Sequence, residues 1–171
     1  YDRVYYDDNP AGVNVNLLLS TAIDGWGATD TLSSVELIIG SSFDDVIIGS
    51  ADAATFWGRD GDDYLVDNSI LGMSLLGEHG NDTLIAGAGR TSLSGDLGDD
   101  LLIGGAGDNI YMWGGEGNDI IYGMDGNDAL TGDSGGNGDD ILDGGAGNDW
   151  LDGVGGADTA SYADTTSGVV V

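Results

Sequence analysis

A nine-residue period constrains this chain more than any other feature of it. From Gly40 onward the sequence falls into units made of a Gly-rich turn of six residues and a three-residue segment with a large apolar side chain in the middle. Gly77–Ile85, Gly95–Ile103, Gly114–Tyr122 and Gly144–Asp152 are clear copies. The eighth slot of successive units reads Ile47, Phe56, Leu65, Leu75, Leu84, Leu93, Leu102, Tyr111, Ile121, Leu130, Leu142, Leu151 and Ala160, so each unit offers one side chain to a core. Units of this size bury their apolar residue only by stacking on neighbours. Extra residues enter at 67–76, at Trp113 and at 132–143, where Gly135-Gly136-Asn137-Gly138-Asp139-Asp140 reads as the turn. These insertions read as bulges that the apolar ladder tolerates.

Composition narrows the class further. The 171 residues include 33 Gly, a single Pro and no Cys, with 3 basic against 31 acidic side chains and a formal net charge of −28. One Pro excludes a collagen-like chain, and the absence of Cys excludes disulfides and thiolate metal sites. The acids are 28 Asp and 3 Glu, which favours turns over helices. A charge of −28 repels nucleic-acid phosphates and anionic membrane surfaces, so cations are the natural partners. No apolar run is long enough for membrane insertion as a helix.

The nonapeptide G-G-x-G-x-D-x-U-x, with U a large apolar residue, resembles the calcium-binding RTX repeat over residues 40–161. The resemblance implies an all-β fold, a parallel β-roll or β-helix solenoid. Each nonapeptide would then be half a coil, with turns alternating between two sides and calcium lying between turns two units apart. The chemistry suits that spacing: calcium takes six to eight oxygens from carboxylates and carbonyls, and glycines let a turn aim its carbonyls inward.

Sorted by side, the sixth slots separate into two unequal files. The first holds Asp45, Asp63, Asp82, Asp100, Asp119, Asp140 and Asp158, spaced 18 to 21 residues apart. The second holds Ala54, an irregular turn at 67–72, Thr91, Asn109, Asp128 and Asp149. Several calcium ions are therefore expected along the first side from Asp63 to Asp158, and on the second side only near Asn109, Asp128 and Asp149. The turn glycines expected to aim carbonyls at them are Gly61, Gly77, Gly80, Gly95, Gly98, Gly114, Gly117, Gly126, Gly135, Gly138, Gly144 and Gly147. Ser41, Ser42 and Phe43 replace glycines beside Asp45, which argues against an ion there. Arg90 is expected to supply a fixed cation beside Thr91.

Residues 1–39 lack the period and are expected to continue or cap the coil as a β-rich segment. Val13–Leu17 alternates like a half-buried strand, Thr31–Ile39 leads into the first repeat, and Gly25–Asp30 reads as a loop whose Trp26 packs over the cap. At the other end, Asp158–Val171 aligns with Asp2–Val15 at an offset of 156, with six of fourteen positions identical. Residues 162–171 therefore read as the start of a following tandem module.

The outward slots of the strands that follow the first-side turns form an apolar stripe through Val46, Ile48, Val66, Ile85, Leu101, Ile103 and Ile120. The opposite sheet is mixed, with Ile110 and Met112 among its outward residues. Such a stripe suits a neighbouring copy of the module, packed end to end or face to face. No catalytic constellation is legible, because His79 is the single histidine and falls in a turn slot. The function expected is a non-enzymatic calcium-binding structural module that folds outside the cell. It would be one unit of a tandem surface protein, adhesin, surface-layer component or extracellular filament. An alternative is the RTX region of a secreted protease, lipase or epimerase whose catalytic domain lies elsewhere. Ice binding ranks last, since the third slots carry no Thr ladder. The resemblance also implies export through a bacterial type I system.

Overall fold

The computed structural model describes residues 2–52, 54–109, 111–133 and 135–162. Their regular structure is entirely strand, in two facing sheets. The first sheet runs, in spatial order, β1 (Arg3–Tyr5), β5 (Leu37–Ile39), β7 (Thr55–Asp60), β9 (Ser74–His79), β11 (Ser92–Leu97), β13 (Tyr111–Glu116), β15 (Ala129–Asp133) and β17 (Trp150–Asp152). The second runs β18 (Thr159–Ser161), β16 (Ile141–Asp143), β14 (Ile120–Tyr122), β12 (Leu101–Ile103), β10 (Thr83–Ile85), β8 (Tyr64–Val66), β6 (Val46–Ile48), β2 (Asn14–Asn16), β3 (Thr21–Ile23) and β4 (Thr29–Thr31). From β5 onward the chain alternates between sheets at every turn, and each strand pairs in parallel with the strand one coil later. This is the parallel β-roll that the resemblance implies.

A strand of three residues points its middle side chain one way and its flanks the other. The inward residues Ile47, Phe56, Leu65, Leu75, Leu84, Leu93, Leu102, Met112, Ile121, Leu130 and Leu142 are at most 2% exposed and form one cluster between the sheets. Each contributes about 1.5–3 kcal/mol by leaving water. The core is only one side chain thick, so the turns at the two sides must carry much of the remaining cohesion.

One rung differs from the expected register. Tyr111 is 67% exposed, and Met112 takes the inward position opposite Leu93. The extra residue thus enters before Tyr111 rather than at Trp113, and Met112 moves from the outer face to the core. Four large side chains follow Asn109, and the ladder accepts the unbranched Met, which adapts to an irregular space. Ile110, expected to face outward, lies outside the described residues. At the C-terminal end Leu151 is half-buried and Ala160 exposed.

Within residues 1–39, β1 adds to the first sheet beside β5 and β2 to the second beside β6, both in parallel. The chain then reverses into an antiparallel β2–β3–β4 extension. The expected single run from Thr31 to Ile39 is divided between β4 and β5, and β4 begins inside the expected loop. Trp26 is 66% exposed rather than packed on the cap. The continuation expected at 163–171 lies outside the described residues.

Candidate metal centre

The seven sixth-slot Asp of the first side stack one per coil and share a division of labour between their oxygens. Oδ1 accepts the backbone N–H of the preceding sixth-slot residue: Asp45 donates to Asp63, Asp63 to Asp82 and Asp82 to Asp100, each at 2.7 Å. Asp100 donates to Asp119 and Asp119 to Asp140 at 2.8 Å, and Asp140 to Asp158 at 3.1 Å. The second oxygen, Oδ2, is buried without any hydrogen-bond donor in Asp63, Asp82, Asp100, Asp119 and Asp140. A buried oxygen carrying charge and no donor is costly unless a cation faces it.

The surroundings of those oxygens are made of more oxygen. A Cβ added at Gly77 would collide with Asp82 Oδ2 and come within 2.9 Å of the Gly95 carbonyl oxygen. Gly58, Gly95 and Gly132 repeat this with Asp63 and Gly77, with Asp100 and Gly114, and with Asp140 and Gly153. Each of these four glycines therefore keeps open a cradle framed by one carboxylate oxygen and a carbonyl from the next coil. Among the described residues no three His, Cys, Asp or Glu side chains converge. The donor set is carbonyl-rich, which suits a hard, oxygen-seeking ion such as calcium and not zinc.

Electrostatics point the same way. Burial pushes Asp63 and Asp100 up to about 8, Asp119 up to about 7 and Asp82 up to about 6. Neighbouring carboxylates add to the rise, as Asp45 and Asp82 do for Asp63, while the accepted amide opposes it. Asp140 is raised for the same first reason, burial. Asp45 is an exception in its partners, since Ser41 donates its N–H to Oδ2 at 2.6 Å and its hydroxyl to Oδ1 at 2.8 Å. The Ser that interrupts the glycine pattern thus satisfies this carboxylate without metal.

On the second side, Asn109 donates its N–H to Asp128 Oδ1 at 2.7 Å, and Asp128 to Asp149 Oδ1 at 3.0 Å. Asn109 Oδ1 and Asp128 Oδ2 are buried without donors, and burial pushes Asp128 up to about 6. Earlier on this side the chemistry changes. Asp67 is buried but accepts from Ser69 N at 2.7 Å, Ser69 Oγ at 3.3 Å and Thr91 Oγ1 at 3.1 Å. Hydroxyls do there what a cation would do elsewhere. Arg90, expected as a fixed cation beside Thr91, is exposed.

Three features escaped the sequence reading. Gly58, Gly132 and Gly153 occupy first slots of the cradle, whereas Gly135 has no atom within 4 Å of an added Cβ and stands apart. The fifth slot is also occupied with purpose. Asp44, Asp62, Asn81, Asp99, Asn118 and Asp139 each accept, at 2.8–3.0 Å, the N–H of the fifth-slot residue one coil later. This outer ladder points opposite to the sixth-slot ladder, so the first-side turns are stapled both ways; an Asx at slot five of every first-side unit from Asp44 to Asp139 was its signal. Finally, His79 is exposed and its Nδ1 pairs with Asp60 at 2.9 Å.

Four copies of the RTX calcium-binding nonapeptide repeat match the chain, at residues 35–66, 76–111, 111–137 and 134–160, more than half of its length. The chain belongs to the RTX calcium-binding repeat family. No curated protein matches it. The break between the first two RTX copies falls on 67–75, the stretch that contains Asp67 and its hydroxyl partner Ser69. RTX repeats make this a calcium-binding module of the kind found in secreted proteins.

Proposed function

We propose that this chain is an extracellular structural module that folds on binding calcium and serves as one unit of a tandem surface protein or filament. The observation that carries the proposal is the row of donor-less Oδ2 atoms at Asp63, Asp82, Asp100, Asp119 and Asp140. Calcium would be held along the first side by Asp63, Asp82, Asp100, Asp119, Asp140 and Asp158. On the second side Asn109, Asp128 and Asp149 would hold it. Carbonyls of Gly77, Gly95, Gly114 and Gly153 lie beside the Oδ2 atoms. The side chains supply charge, the amides fix their orientation, and each ion would tie two coils together. Metal binding and folding are then one free energy.

A tandem role draws support from the match of Asp158–Val171 to Asp2–Val15 at an offset of 156. The outer face of the second sheet adds to it: Tyr64, Tyr122 and Ile141 are 38–41% exposed along the apolar stripe.

Calcium titration of the metal-stripped chain, followed by far-ultraviolet circular dichroism, tests the coupling. Extracellular oxygen-ligand sites bind with Kd on the order of 10⁻⁴–10⁻³ M, so strand signal should appear at about millimolar calcium. Chelator at pH 8 should remove most of it, and magnesium, which demands a tighter octahedral shell, should not replace it. A strand spectrum indifferent to chelator would sink the proposal.

A further inference from the structure

The turn between β15 and β16 is enlarged: Asp119 to Asp140 spans 21 residues, where the coils before it take 18 or 19. At its start Asp133 is buried, with 1% of its surface exposed. Asp133 lies in register with Gly115, which is in register with Asp96, and Asp96 with Glu78. Of these, Asp96 is exposed and Glu78 half-exposed, so Asp133 is the one acid of its column drawn inside.

Its carboxylate is only half satisfied. Oδ2 accepts the Gly138 N–H at 3.0 Å, while Oδ1 is buried with no donor. No ion pair reaches it among the described residues. Gly136 comes closer to the free oxygen than a residue with a side chain could. A Cβ there would sit 2.7 Å from Oδ1 and 3.7 Å from Glu116 Cγ, on the neighbouring coil. Across from it, a Cβ on Gly155 would meet the Gly136 carbonyl oxygen and lie 3.4 Å from Asp133 Oδ2. The Asp133 carboxylate, the Glu116 side chain and the Gly136 carbonyl thus lie close together at the start of the enlarged turn. A carboxylate brought inside with no basic side chain to pair with calls for a cation of its own.

We propose that Asp133 anchors a further calcium site, off the sixth-slot file, that the enlarged turn completes with Glu116 and the Gly136 carbonyl. This rests on the calcium reading of the file itself. The test counts calcium bound per folded chain, by equilibrium dialysis with metal analysis, in the wild type, Asp133→Asn, Glu116→Gln and Asp100→Asn. Asp133→Asn should lose one ion and keep the strand spectrum. Glu116→Gln, at an exposed position, should weaken the same ion about tenfold and decides the matter should Asp133→Asn not fold. Unchanged ion counts and affinities in both variants, with ions lost in Asp100→Asn, would overturn this site and leave the file standing. A wild type that binds no calcium would overturn both.

Discussion

At the scale of single residues, the sixth-slot carboxylates make protons and calcium rivals. Unfolded, each titrates near its ordinary value of 3.8; folded and free of metal, Asp82 rises to about 6, Asp119 to about 7, and Asp63 and Asp100 to about 8. Between those limits the metal-free fold binds more protons than the unfolded chain. Its stability is therefore fullest below pH 4 to 5 and is lost as pH climbs through the 6 to 8 window of these groups. Calcium inverts the preference, because it needs the ionised form and releases protons on binding. The metal-stripped chain should accordingly hold more strand signal and melt later at pH 5 than at pH 8. The calcium concentration at the folding midpoint should fall from pH 6 to pH 8. Thermal melts by circular dichroism check the first, titrations at the two pH values the second. Melting that is later at pH 8 without metal contradicts the assignment.

At the scale of the element, a turn is defined by what its backbone must pass close to. Gly98 has φ +133, and an added Cβ would collide with the Gly80 carbonyl oxygen of the coil before. Backbone strain there costs about 1–3 kcal/mol and the clash a similar amount, so Gly98→Ala should lose about 2–6 kcal/mol. Gly135 has φ +116 but open space around it, so Gly135→Ala should lose only the strain, about 1–3 kcal/mol. Denaturant midpoints in saturating calcium measure both; equal losses would deny the turn-to-turn contact. The same contrast explains what the sequence made legible. The apolar ladder, the alternation of sides and the uniform Asp file all recur at fixed spacing, and the sheets follow from them. Gly132 was hidden because the insertion separates it from Asp140 by eight residues instead of five. Met112 was hidden because Tyr111 and Trp113 beside it are as large and apolar as the ladder requires. The roles of Ser41, Ser69 and Thr91 as hydroxyl partners of Asp45 and Asp67 depend on side-chain directions that no period encodes.

At the scale of the whole molecule, the β-roll is quasi-one-dimensional: each coil touches only its neighbours, and stability is a sum of coil and interface contributions. A defect in mid-file then cuts the array in two, while a defect at an end trims it. Asp100 stands between Asp82 and Asp119 with its Oδ2 buried and donor-less, whereas Asp158 stands exposed at the last described coil. Asn keeps the Oδ1 acceptor for the preceding amide but replaces the charged Oδ2 with an amide nitrogen that cannot ligate calcium, so the substitution tests the ion and not the hydrogen bond. Asp100→Asn should raise the calcium midpoint of folding about tenfold, equivalent to about 1.4 kcal/mol, and broaden the transition as the two segments on either side fold separately. Asp158→Asn should shift it by less than about threefold and leave the transition sharp. Circular-dichroism titrations of the two variants beside the wild type decide between this and a set of independent turns. Independent turns would give equal shifts and unchanged steepness, because the neighbours of a lost ion would then neither sense its charge nor depend on the coil it ties.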